Sequence, residues 1–255
     1  MWTVLAIGVW AGLFWLERRR PARSRVETVL RHTARNLTVA GLGAIALQFA
    51  ETPVIRPLTA LVVRKHWGLL QQASLPVWIE VAISVLLLDY TLYIWHVLTH
   101  RVNALWRFHA VHHADLDLDA STALRFHFGE LVISVAWRSA QVLVIGVSPL
   151  SFAIWQTMLF PSILFHHSNI RLSSRVERML SRFVVTPGMH AIHHSIVGGE
   201  MNSNWSSGLS IWDKLHGTLR RRVPHEITIG LADRQSPAQI TLRRILLMPS
   251  RGRAD

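Results

Sequence analysis

No cysteine occurs in the chain of 255 residues. Its absence excludes a disulfide framework, a thiolate zinc site, an iron–sulfur cluster and a cysteine nucleophile. Charge is scarce as well. Charged residues make up 16% of the chain against 50% hydrophobic, and the mean hydropathy is +0.27, which excludes a disordered chain. Acidic residues are the rarer sign: 15 stand against 27 Lys and Arg, for a formal net charge of +12. Long apolar runs are missing after Ser168, and no internal repeat or low-complexity stretch occurs. Histidine (15) and tryptophan (11) are what the chain has in abundance.

The first two thirds are organised by apolar runs. Trp2–Leu16 is apolar or glycine and is followed at once by Glu17-Arg18-Arg19-Arg20-Pro21. A cleavable signal peptide has its basic residues before the apolar run, so this order reads as an anchor helix, short of the roughly 20 residues of a full span. Leu37–Ala50 is a second short run, broken by Glu51, Pro53 and Pro57. Leu58–Leu70 is amphipathic and expected in the interface. Residues 77–98 form the clearest span; 131–147 and 150–165, separated by Ser148-Pro149, read as a membrane hairpin. Tryptophans at the run ends, such as Trp67, Trp78, Trp95 and Trp106, fit an aromatic belt.

Orientation follows from Lys and Arg. With the N-terminus outside and five crossings, the inner segments 17–36, 101–130 and 168–255 carry 7, 3 and 13 basic residues, and the outer segment 56–76 carries 3. The positive charge therefore reads as positive-inside bias with affinity for anionic headgroups. No basic stripe interleaved with aromatics points to nucleic acid, and none is expected as a partner. The expected fold is all-α: a multi-pass bundle of about four to five membrane segments with a cytoplasmic helical cap. Residues 1–76 would hold the anchor helices and the interfacial segment, and 77–255 the catalytic part.

The histidines fall into clusters: His96-x3-His100, His109-x2-His112-His113, His166-His167, and His190-x2-His193-His194. On a helix, residues at i, i+3 and i+4 share a face, so each spaced cluster can offer two or three imidazoles to one metal. Imidazole suits iron, zinc, copper and nickel. Under the topology above, all four clusters fall on one membrane face, which the spacings alone do not require. Ten ligands exceed what one ion takes and suit two ions with open positions. Bis-imidazole haem fits poorly, since it needs single ligands on opposite faces of a ring.

Asp89 lies deep in the run 77–98, where an ionisable side chain is costly and usually functional. It shares a helical stripe with Tyr93, His96 and His100, as an orienter of a ligand histidine; pairing with Arg138 is the structural alternative. His127, between Arg125-Phe126 and Glu130, reads as a ligand or as a residue supporting one. His32, His66, His216 and His225 stand alone and read as interfacial or surface residues.

In their order and spacing these clusters resemble the fatty acid hydroxylase / sterol desaturase superfamily of membrane oxygenases. Thr122-Ala123-Leu124-Arg125-Phe126-His127 is similar to its TA-x-R-x-H segment, and His167-Ser168-Asn169 to its HSN element. Thr186-Pro187-Gly188-Met189 leads into the last box, and Trp212-Asp213 with Gly217-Thr218 resembles its WDxxxGT motif. The resemblance runs over roughly residues 80–222, plus the end of the first run around Trp15–Pro21. Phe128 replaces a usual proline, Asn204-Trp205-Ser206 stands for an NYG element, and His216 takes a usually aromatic position.

The resemblance implies a non-haem di-iron centre, with zinc as a substitute, held by His96, His100, His109, His112, His113, His166, His167, His190, His193 and His194. It implies O2 activation to hydroxylate or desaturate a lipid C–H bond, with electrons from a separate reductase, ferredoxin or cytochrome-type carrier. Asp89 and His127 would assist. A zinc-dependent membrane lipid hydrolase and a metal transporter or sensor are the competing readings. Catalytic zinc takes fewer ligands, and a transporter would place them nearer the bilayer midplane.

Overall fold

The computed structural model describes residues 2–250, with side chains from residue 8. The architecture is all-helical: among the described residues, β pairing is limited to four isolated bridges. In chain order the helices are α1 (Trp2–Arg19), α2 (Val29–Ala50), α3 (Thr52–Lys65), α4 (Val77–Arg101), α5 (Asn103–His113), α6 (Phe128–Ile145) and α7 (Pro149–His167). Short helices α8 (Ser174–Leu180), α9 (Pro187–His193), α10 (Gly198–Met201), α11 (Ile211–Leu215) and α12 (Leu242–Leu246) follow.

Fewer helices qualify as spans than the four to five expected. Among the described residues, α4 and α6 are long and apolar enough, and α2 with α3, bent by 46° at their break, would make a third. Polar side chains account for the shortfall. Gln156, Thr157, Ser162 and the two terminal histidines interrupt α7, and α1 closes on Glu17, Arg18 and Arg19. The break between α2 and α3 falls at Glu51, which forms a buried ion pair with Arg138 of α6. Arg138 is thereby occupied and does not meet Asp89.

The segment expected in the interface is instead part of the bundle. Ile55 and Val62 of α3 are buried with Leu88, Val142, Ile145 and Trp155 in one apolar cluster at the end remote from the histidines. There Gly146 ends α6 at φ +80°, and the backbone of Gly68 lies against it; a Cβ on Gly68 would sit 2.3 Å from the Gly146 nitrogen. Both turns therefore demand glycine. The Gln71 amide donates to Gly146 O at 2.8 Å and closes the contact. α4 packs mainly along α7, and α6 mainly along α2 and α3, so the two helices flanking Ser148-Pro149 pack chiefly on other helices rather than on each other.

At the opposite end a buried ionic network ties the N-terminal third to the loop after α5. His32 is fully buried, not interfacial: its Nε2 lies 2.9 Å from Asp115 Oδ2 and its Nδ1 3.2 Å from Asp119 Oδ2. Asp117 accepts from the backbone of Val26 and Glu27 at 2.8 and 2.9 Å. Arg125, with no exposed surface, donates to Val111 O (2.9 Å), Asn36 Oδ1 (3.0 Å) and Asp115 Oδ1 (3.3 Å). Burial alone would push the Asp115 carboxyl up, but His32, Arg125 and Arg35 hold it well below the usual carboxylate range. Glu17 Oε2 accepts from the backbone of Ala120 and Asn169, both at 3.1 Å, and fixes the end of α1 to the same region.

Replacing Arg125 by leucine leaves Asp115 with a buried charge short of a partner and frees Val111 O at the end of α5. A loss of about 3–5 kcal/mol of stability is expected. Thermal unfolding of the detergent-purified variant beside the parent measures it.

Candidate metal centre

α4, α5, α7 and α9 bring their histidines to one place. Each helix carries them in its final turns, so the imidazoles converge where four helix ends meet. Two groups form: His96, His100, His109, His113 and His193 in the first, and His112, His167, His190 and His194 in the second. Within each group the nominated ligand atoms lie within 4.8 Å of one another. The groups adjoin, with His113 stacked on His194 at a centroid distance of 4.3 Å.

The His96/His100 box enters the first group whole, but the two HxxHH boxes are each divided between the groups, although their spacing alone would let each serve one metal. His109 and His113, four residues apart on α5, enter the first group and His112 the second. On the other side His193 enters the first, and His190 and His194, again four apart, the second. The two boxes thus interlock: each supplies a pair to one group and a single ring to the other.

Hydrogen bonds fix which nitrogen faces inward. His96 Nδ1 lies 2.7 Å from Trp205 O, His193 Nδ1 2.8 Å from Ser203 O, and His167 Nδ1 2.7 Å from Ile163 O. A carbonyl can only accept, so these rings carry their proton on Nδ1 and keep a lone pair on Nε2. His109 Nδ1 donates to Glu130 Oε1 at 2.9 Å. The Nε2 atoms of His96, His100, His109, His113 and His193 are buried without any hydrogen-bond partner. In the second group, Nε2 atoms face one another at 3.0 Å (His112–His167 and His167–His190) and 3.1 Å (His190–His194). Two nitrogens bound at right angles to one ion at about 2.1 Å would be ~3.0 Å apart. Buried, unpartnered lone pairs converging at ligand spacing are what a divalent metal satisfies, so the residues fit two such ions.

Burial also keeps the rings neutral. It pushes the His193 ring down to about 3, with His109 and His167 adding to the effect. His112, His113, His190 and His194 are driven well below the ordinary histidine value by burial first and neighbouring imidazoles second. Neutral imidazole is the ligating form.

Three candidates lie outside the groups. The His166 ring lies against His190 at 4.2 Å, tilted by 54°, because consecutive helical residues point about 100° apart and His167 takes the inward position. His127 caps α6: its Nδ1 accepts from Gly129 N at 3.0 Å, and its Nε2 faces Leu246 O at 3.2 Å. Asp89 meets no histidine. It accepts from Leu209 N at 3.0 Å and from the Trp212 indole at 2.7 Å, joining α4 to the loop before α11.

Sequence reasoning passed over the residues that hold the rings. Glu130 was seen only as a neighbour of His127. Asp213 is fully buried and accepts from Trp205 N (2.9 Å), Ser206 N (3.0 Å) and Thr218 Oγ1 (2.7 Å), fixing the carbonyl to which His96 donates. Asn204, at φ 52°, bonds Met189 O and Arg220 O and holds the same loop. The signal for both was present in the Trp212-Asp213 and Asn204-Trp205 stretches but named no partner.

The fatty acid hydroxylase family model matches residues 81–218, which takes in every histidine of both groups. The chain belongs to the fatty acid hydroxylase family. Among curated relatives, an ornithine lipid hydroxylase of Rhizobium tropici is 32% identical over 158 residues, 61% of this chain and 46% of that protein. Human alkylglycerol monooxygenase is 31% identical over 132 residues, 51% of this chain and 28% of its own length. Mouse cholesterol 25-hydroxylase is 30% identical over 144 residues, 55% of this chain and 47% of its own. The chain therefore spans less than half the length of these relatives. No solved structure matches it.

Truncating Glu130 to alanine removes the acceptor of His109 and leaves its ring free to turn. A loss of about 10–100-fold in metal affinity is expected, read by metal retained during titration with a chelator. Glu130→Gln, which keeps an acceptor oxygen, should lose less.

Proposed function

We propose that this chain is an integral-membrane, O2-dependent oxygenase with two non-haem iron ions, which hydroxylates or desaturates a C–H bond of a lipid. The observation that carries this reading is the convergence of nine imidazoles, eight of them buried, into two adjoining groups; the inward Nε2 atoms of the first have no hydrogen-bond partner and those of the second meet only one another. His96, His100, His109, His113 and His193 would hold one ion, and His112, His167, His190 and His194 the other. Iron bound there supplies the reductive activation of O2 that an unactivated C–H bond requires. The relatives named as lipid hydroxylases and monooxygenases support the substrate class.

The chain's own residues prepare the site in three ways. Trp205 O, Ser203 O, Ile163 O and the Glu130 carboxylate hold the Nδ1 protons and aim Nε2 inward. Phe126 stacks on His112 at 4.4 Å, and Trp106 lies 5.1 Å from His100 and 5.5 Å from His113, walling the centre from water. All-imidazole ligation leaves no sulfur ligand to be oxidised. Electrons would come from an external protein carrier. The 13 basic residues of 168–255 support placing the histidine end in the cytoplasm, where such a carrier could dock.

Detergent-purified protein should contain about two irons per chain and consume O2 when given a reductant and lipid. A single tightly held zinc without O2 consumption would refute the reading and favour hydrolysis. His193→Ala should abolish activity and lower metal content while the protein still inserts in the membrane. Full activity in that variant would overturn the ligand assignment.

A further inference from the structure

We propose that α8 with the turn after it to residue 185, and α11 with the loop 207–210 before it, form an edge that dips into the acyl region of the leaflet on the histidine side, with anionic lipid headgroups around it. The sequence had placed everything after Ser168 outside the bilayer. This proposal concerns where the chain meets the membrane and does not depend on the reaction catalysed.

The first observation is height. Asp89 lies 12 residues beyond Val77 on α4, about 18 Å along the axis, whereas a hydrocarbon core is about 30 Å thick. Yet Asp89 holds Leu209 N and the Trp212 indole, and Ser162 of α7 donates to Ser207 O at 2.9 Å. The Tyr90 ring packs on Trp212 at 4.9 Å. The C-terminal third therefore reaches back along α4 and α7 to a level within the hydrocarbon.

The second observation is what that segment shows to its surroundings. Val176, Met179 and Phe183, at i, i+3 and i+7, are exposed, as are Ile211 and Leu215, at i and i+4. Phe183 and Leu215 are each 67% exposed, unusual for large apolar side chains with polar neighbours to hide behind. The two pieces form one surface, because Ser210 N donates to Phe183 O at 3.0 Å and Val185 N to Gly208 O at 3.1 Å. Exposed Arg175, Arg178, Arg182 and Lys214 interleave with these apolar residues, the pattern of an interfacial helix on anionic lipid.

The third observation is that irregular backbone at this depth is provided for. Lipid offers no hydrogen bonds, so exposed loop amides would be costly there. Leu209 N, Ser210 N and Val185 N are all satisfied within the protein. Asp89 thus gains a role that its depth in α4 demanded: it satisfies a loop that would otherwise present bare N–H groups to acyl chains. His96 and His100, 7 and 11 residues farther along α4, then lie about 10 and 16 Å above this edge, near the polar boundary of the leaflet. A lipid can bring a reacting carbon to that depth without leaving the bilayer.

Because the chain has no cysteine, single-cysteine variants can be labelled at one point each. Phe183→Cys and Leu215→Cys would carry an environment-sensitive fluorophore. Asp233→Cys, exposed beside Trp106 and Arg107 of α5, serves as the aqueous control. The full-length protein is placed in vesicles of phosphatidylethanolamine and phosphatidylglycerol doped with acyl-chain nitroxide lipid. Labels at 183 and 215 should emit to the blue of the control, be quenched several-fold more by the nitroxide, and be shielded from iodide. Emission and iodide quenching equal to the control would overturn the proposal. Shielding from iodide without nitroxide quenching would also overturn it, by showing a second protein copy as the occupant. Both native side chains are exposed, so neither substitution should unpack the core.

Discussion

Everything at the histidine end depends on one constraint: imidazoles crowded into a dry space must keep one nitrogen free, and four of the nine rings are held for this by a hydrogen bond on the other. Nothing of opposite charge sits inside the two groups. The restraint comes from outside them, from Trp205, Ser203 and Ile163 carbonyls and the Glu130 carboxylate. The loop that carries the Trp205 and Ser203 carbonyls is fixed in turn by Asp213 and Asn204 on the tail. The ligand rings are supplied by helices, and two of the four tautomers fixed from outside are set by irregular chain. A tail without long apolar runs can therefore matter as much as the spans.

The buried network around Asp115 is a second layer of the same restraint. It immobilises the end of α5, which carries three of the nine rings. Arg125 grips Val111 O, one residue before His112, and at the same time Asn36 of α2 and Asp115. Such a network stabilises little relative to an apolar core. Its value lies in a unique register between the N-terminal third and the α5 box.

The histidine boxes were legible in the sequence because helical periodicity is local, and so was the all-helical class. What the sequence could not show was partition. His109 and His112 look equivalent in a spacing pattern, but which ion each would face is set by α9 approaching from another part of the chain. His32 was misplaced because its partners lie more than 80 residues away, at Asp115 and Asp119. Asp89 was rightly marked as costly in its run, but the polar groups that answer it belong to Leu209 and Trp212 rather than to its own helical stripe. His166 and His127 lie outside both groups: one packs against His190, the other caps α6. Fewer described helices than expected are apolar enough to cross a membrane, because polar residues dilute α1 and α7.

The interlocking of the two boxes has a consequence for assembly. Since α5 and α9 each contribute to both groups, no ion can settle in one without ordering part of the other. If two ions are held as proposed, the first would bear the entropy of aligning both helices and the second would find its ligands in place, so that loading would be cooperative.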